Sequence, residues 1–174
     1  MKSIVLYKSK YGNTLQYAKW IGEALNCEVR DLKDFKRKEI SQYEEIIFGS
    51  GVYMGKLNKI DQVLKMFKTK PITIFACAGH LFDQNEISKL KERHFTQEQL
   101  SFHQFFYLPG GVDFTKLTGM TKKMVLFFLK MIEKKENKTQ EEIDILEGYY
   151  HPTCYVDKKY ITDIVSSVQN KKQS

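Results

Sequence analysis

Short apolar runs recur along the chain: Ile4-Val5-Leu6-Tyr7, Ile46-Ile47-Phe48, Ile72 to Ala78 and Phe102 to Leu108. Runs of this kind, without polar alternation, predict strands covered on both faces, as in a parallel sheet. Between them the period changes. Leu15, Ala18, Ile21, Gly22 and Leu25 recur at three- and four-residue intervals, and so do Leu57, Ile60, Val63, Leu64 and Phe67. Each set predicts a helix with one face on the sheet. Cys27 to Asp31 reads as a short second strand, and the charged stretch Lys33 to Glu39 leads to the third, which ends in Gly49-Ser50-Gly51. Pro71 closes the loop before the fourth strand, Gly79 opens the loop after it, a helix covers Glu86 to Arg93, and the fifth strand stops at Pro109-Gly110-Gly111. Asp157 can cap a last helix lined by Ile161, Ile164, Val165 and Val168.

Strands alternating with helices specify an α/β sheet with right-handed crossovers, and five of them fit the doubly wound order 2-1-3-4-5. In that order ligands bind at the carboxyl edge, where the winding reverses beside the first strand. The Gly-containing loops after strands one, three and four fall there. A response-regulator receiver shares the topology but requires acidic residues near the end of its first strand, where Tyr7, Lys8 and Ser9 stand. Residues of about 112–150 form an insertion before the last helix that is too long for a loop. Within it Met124 to Leu129 has no polar face and is flanked by Lys122, Lys123, Lys130, Lys134 and Lys135. That composition suits burial, a subunit contact or a membrane interface, and is too short to span a bilayer. Thr139 followed by Glu142 is a capping box for a second short helix ending by Gly148.

At 174 residues with 42% hydrophobic content, the chain is expected to fold as one domain over 1–174. No stretch approaches the ~20 apolar residues of a membrane span, and Met1-Lys2-Ser3-Ile4 runs directly into a strand, so the expectation is a cytoplasmic protein without a signal peptide. Cys27, Cys77 and Cys154 are odd in number and far apart, which argues for buried thiols over a disulfide framework. His94, His103 and His151 lack metal-ligand spacing, and no metal site is expected. The net charge of +7, from 28 Lys+Arg against 21 Asp+Glu, favours acidic partners or an anionic surface. The lysines are dispersed along helices with no nucleic-acid motif, so nucleic acid is not expected as a partner.

The chemistry concentrates in Ser9-Lys10-Tyr11-Gly12-Asn13-Thr14, between the first strand and the first helix. Small and hydroxyl residues there let backbone amides and Oγ atoms converge on an anion at a helix N-terminus. A GxGxxG fingerprint is absent, and Asn13 stands where an ATP-type phosphate loop needs Lys, so the turn suits one terminal phosphate. The alternative is a turn in which Asn13 or Thr14 only caps a helix.

Ser9, Tyr11, Gly12, Asn13 and Thr14 resemble, position for position, the flavodoxin phosphate loop, Thr/Ser-x-Thr/Ser/Tyr-Gly-Asn-Thr. The resemblance implies a flavodoxin-like fold holding FMN by its 5′-phosphate through Ser9, Asn13 and Thr14 side chains and the amides of the loop, Lys10 included. It makes Ser50, Gly51, Val52 and Tyr53 the second flavin loop, with Tyr53 stacked on the ring or, alternatively, packed in the core with Met54. It makes Ala78 and Gly79 backbone contacts of the ring, beside His80, which either carries a proton or sits in solvent. Two departures stand out. Carrier flavodoxins are usually acidic and this chain is basic, and the third loop lacks their acidic and aromatic residues.

The insertion is similar to one in the flavodoxin-like protoporphyrinogen oxidases that pass electrons to menaquinone. The implied function is an FMN-dependent oxidoreductase moving electrons or hydride through the flavin, without a catalytic side chain of its own. Its partner would be a redox protein or a small molecule, a porphyrinogen or a quinone, with peripheral membrane contact or a dimer both open. The alternative is a non-enzymatic electron carrier that docks on a protein partner.

Overall fold

Five parallel strands, β1 (Ser3–Lys8), β2 (Glu28–Asp31), β3 (Glu45–Tyr53), β5 (Thr73–Ala78) and β6 (Gln104–Pro109), lie in the order β2-β1-β3-β5-β6. A two-residue strand, β4 (Lys56–Leu57), returns antiparallel on the end of β3, pairing Val52 with Leu57 and Tyr53 with Lys56. The computed structural model describes residues 2–53, 55–79, 83–111, 119–152 and 154–173. Counting the parallel strands alone, the order is the expected 2-1-3-4-5.

Alternate residues of the central strands feed two separate cores. Ile4, Leu6, Ile46, Phe48, Ile74 and Ala76 pack with Ile60, Val63 and Leu64 of α2 (Ile60–Met66) and Ile87 and Leu90 of α3 (Gln84–His94). Val5, Ile47, Phe75 and Cys77 pack with Tyr17, Ala18, Ile21 and Leu25 of α1 (Asn13–Leu25) and Ile164 and Val168 of α7 (Thr162–Gln173). Both faces are therefore dry, which is why these strands read as continuous apolar runs. Polar chemistry is left to the strand ends.

Several expectations shift in detail. Gly49-Ser50-Gly51 does not end the third strand: β3 runs on to Tyr53, since its partners β5 and β4 supply ladder bonds through and beyond the glycines. Leu57 belongs to β4, so the second helix begins only at Ile60, after Lys59 in the left-handed region (φ 66°). In α1 the buried face uses Thr14 and Tyr17, while Leu15 is half-buried. Phe102, expected in the fifth strand, closes a short unforeseen helix, α4 (Gln97–Phe102), capped reciprocally by Thr96 and Gln99. Asp157 caps a 3₁₀ turn, Lys158–Ile161, that leads into the last helix. In the insertion, α5 (Gly119–Glu133) is followed by α6 (Gln140–Tyr150), which starts at the expected Thr139–Glu142 capping box and runs past Gly148. Cys77 is buried as expected, but Cys27 is only partly so and Cys154 is exposed, and the thiols are free. Among the described residues no helix is long and apolar enough to cross a membrane.

Gly49 stands opposite Phe75 in the β3–β5 ladder, and the Phe75 ring closes over it: a Cβ there would lie 2.1 Å from the ring's Cζ. Overpacking of this kind costs about 1–3 kcal/mol. Gly49→Ala is expected to lower stability by that amount in urea unfolding, and Phe75→Leu in the same chain to recover part of it.

Candidate functional site

At the carboxyl edge of β1, β3 and β5 a cleft of about 390 Å³ opens. Its lining comes from four places. Lys10, Tyr11, Asn13 and Thr14 follow β1; Gly51, Val52 and Tyr53 end β3; Cys77, Ala78 and Gly79 end β5; Gly111, Met124 and Val125 close it from beyond β6. Volumes of about 300–1,000 Å³ with mostly apolar walls are those of small-molecule sites.

The β1–α1 turn is built around Gly12, whose φ of 96° is accessible to glycine and strained for other residues. The Gly12 amide donates to Ser9 Oγ at 3.1 Å, closing the turn. No side chain caps α1 and its first turn carries no acidic residue, so the amides of the helix start are open to an anion, favoured there by the helix dipole. The side chains expected to bind a phosphate have work inside the protein. Asn13 Nδ2 donates to the Gly111 carbonyl at 2.7 Å, and the Thr14 hydroxyl, 2% exposed with its residue, is hydrogen-bonded to the Cys77 thiol. An anion at this turn is thus met chiefly by main-chain N–H groups.

Tyr53 folds back over Gly51, where a Cβ would lie 3.0 Å from its hydroxyl, and meets Tyr11 edge to face at 5.5 Å between centroids. The Lys10 ammonium rides over both rings, 5.2 Å from Tyr11 and 5.6 Å from Tyr53, a positive charge held at the mouth. Ser50, expected at the ring, is fully buried; its hydroxyl donates to the Asn58 carbonyl at 3.0 Å and braces the hairpin instead of lining the cleft. Ser9 and Gly12 likewise shape the loop without lining the cleft. His80 and Met54 lie outside the described residues.

Four lining residues, Cys77, Gly111, Met124 and Val125, were not among the expected flavin contacts. Gly111 was foreseeable, because the stop at Pro109-Gly110-Gly111 had to end on the same edge. Gly110 passes so close to β5 that a Cβ would sit 2.5 Å from the Ala78 carbonyl and 2.9 Å from Cys77 Sγ. Cys77 points to the α1 side and reaches the cleft past that glycine. Met124 and Val125 reach it from α5, for which a linear pattern carries no signal of direction. Among the described residues no cluster of His, Cys, Asp and Glu could hold a metal.

These features define a doubly wound α/β domain with an apolar cleft at the carboxyl edge of its sheet. The profile of the flavodoxin domain family matches residues 4–140, and the chain belongs to that family. FMN is accordingly its cofactor. An uncharacterized protein of Methanocaldococcus jannaschii is 34% identical over 106 residues, 55% of this chain and 69% of that one. Among solved structures, a flavodoxin from the domain Archaea superposes over 97% of this chain and 99% of its own at 17% identity with a TM-score of 0.48. An oxidised flavodoxin 2 from Bacillus cereus covers 78% of this chain and 100% of its own at 16% identity, TM-score 0.42. The open amides of α1 and the glycine-edged apolar cleft fit an FMN phosphate and ring.

Burial pushes the Cys77 thiol up to about 12, partly offset by the Thr14 hydrogen bond. It therefore stays a thiol through neutral pH and loses its proton only well above it. Iodoacetamide at pH 8 is expected to label exposed Cys154 many times faster than Cys77, read by peptide mass spectrometry; equal rates would contradict the packing of the cleft floor.

Proposed function

We propose that the chain is an FMN-dependent oxidoreductase whose cleft is brought by α5 to an anionic membrane surface, where an apolar electron acceptor such as a quinone resides. Bound FMN supplies reversible acceptance of one or two electrons, with a proton at N5. The protein's part is placement. The α1 amides would hold the phosphate, Gly51 to Tyr53 and Ala78–Gly79 would flank the ring, and Val125 and Met124 would shield it from water. No base is offered by the described lining: burial pushes Tyr53 up to about 12 and Cys77 equally high, so both keep their protons at pH 7.

The observation that carries the membrane reading is the second face of α5. Leu129 and Ile132 are buried beneath the helix, yet Met120, Met124, Phe127 and Met131 form an i, i+4, i+7, i+11 stripe on the outside, with Phe127 68% exposed, joined by half-exposed Phe128. Exposed Lys123, Lys130 and Lys134 follow one flank of it. A stripe of Met and Phe bordered by ammonium groups complements an anionic lipid surface, whereas two copies meeting face to face would oppose their lysines. Met124 belongs to both stripe and cleft.

Oxidation of a porphyrinogen with a quinone acceptor is the specific reaction this arrangement suggests, because a large apolar substrate would enter between α5 and the Tyr53 hairpin. The chain's excess of positive charge also suits a soluble carrier docking on an acidic protein partner.

Purified chain mixed with FMN is expected to show a protein-bound flavin spectrum with quenched fluorescence and a raised Tm; absence of both ends the cofactor assignment. Tyr53→Ala should weaken FMN about tenfold, the worth of one aromatic contact. Loaded protein should float with vesicles containing anionic phosphatidylglycerol and remain behind with pure phosphatidylcholine, and Phe127→Ser/Met131→Ser should abolish flotation. A concentration-dependent dimer without flotation would assign the stripe to a second copy.

A further inference from the structure

The hairpin bearing Val52 and Tyr53 is held on its outer side by two consecutive residues at the end of α3. Leu57 N–H donates to His94 Nε2 at 3.0 Å, and Arg93 Nη1 donates to the Gly55 carbonyl at 2.8 Å. On its inner side the hairpin is already satisfied: Asn58 N–H bonds the Gly51 carbonyl at 3.2 Å, and the β4 residues pair with Val52 and Tyr53. Gly55 turns the chain at φ 67°, and a Cβ there would stand 2.7 Å from Arg93 Nη1, so the guanidinium rests directly on the turn. Two-residue pairings of this kind are marginal alone. The clamp adds a hydrogen bond at Gly55 and another at Leu57 to the short pairing that β3 gives the hairpin.

We propose that Arg93 and His94 are positioning residues for the cofactor: they fix the Val52–Leu57 hairpin, and with it the Tyr53 side of the cleft, through its backbone. The proposal rests on the FMN reading above. His94 plays this part only as a neutral imidazole, since Nε2 must accept and the ring proton then belongs on Nδ1. Burial lowers its pKa below the ordinary 6.5, and Arg93 on its own helix and Lys56 on the hairpin add to that; Asp61 of α2 faces it and works the other way. With the folded value depressed, the clamp is whole at pH 7 and above and is lost as the pH falls below 6.5 through the folded value. Acid therefore loosens the hairpin without any change in the cleft's own residues.

The test compares wild type with His94→Ala and His94→Gln, whose side-chain oxygen can accept the same bond. Amide exchange at Leu57 is followed by NMR in the FMN-free chain, and FMN affinity by fluorescence quenching at pH 8 and pH 5.5. At pH 8, His94→Ala should exchange Leu57 about tenfold faster and bind FMN about three- to tenfold more weakly, with His94→Gln restoring most of both. At pH 5.5 the wild type should fall toward the alanine variant while the glutamine variant holds its advantage. Titration of the FMN phosphate is common to all three chains and cancels in the comparison. Unchanged exchange and affinity in His94→Ala at pH 8 would overturn the clamp alone, whereas failure of the wild type to bind FMN would overturn the reading beneath it.

Discussion

The cleft depends on one buried hydroxyl. Tyr17, fully enclosed on the inner face of α1, donates to the Pro109 carbonyl at 2.5 Å and accepts from the Asp157 N–H at 3.3 Å. A single side chain thereby ties the first helix, the end of the edge strand and the segment entering the last helix. Burial raises its pKa further still, so the phenol remains a donor at any physiological pH. Around this point the backbone closes in: Tyr155 N–H bonds the Gly110 carbonyl at 2.7 Å, Gly111 pairs with Cys154, and Asn13 reaches across to Gly111. The far wall of the cleft is in this way assembled from residues distant in the chain, Tyr17 and Asn13 reaching partners more than ninety positions away, and an unsatisfied buried hydroxyl there would cost about 1–3 kcal/mol.

How much of this was legible in the sequence follows from the range of the interactions. The parallel order was readable because strands buried on both faces must be apolar throughout, and the alternation with helices leaves few topologies. The β1–α1 turn was readable because Gly12 needs a backbone that few residues adopt, and its neighbours stand adjacent in the chain. Tyr17 was not: a tyrosine on the inner face of an amphipathic helix carries no mark of the two backbone groups it will meet. The same holds for Arg93 and His94, whose partners are main-chain atoms with no residue identity to read. Ser50 and Thr14 were placed at the right edge of the sheet, but their hydroxyls satisfy the interior, since a buried hydroxyl must find a partner whether or not a ligand ever arrives.

The division of labour that results is economical. At the β1–α1 turn, side chains brace the loop and leave main-chain amides open to an anion. Main-chain amides make no distinction among sequences, so the walls of such a site tolerate variation that its braces do not. Gly51 and Gly110 complete the arrangement by letting a ring and a sulfur approach main chain at distances a methyl group would forbid.

Met124 sits on a helix that is both wall and outer surface. If filling the cleft displaces that wall, the energy of the displacement appears on the outside as well, because the helix is one body. Linkage then works in both directions by the same factor: a surface that prefers one setting of α5 tightens or loosens the ligand, and the ligand returns the effect in kind. A protein of this design would sense, through its affinity for a cofactor, whether its apolar stripe is covered.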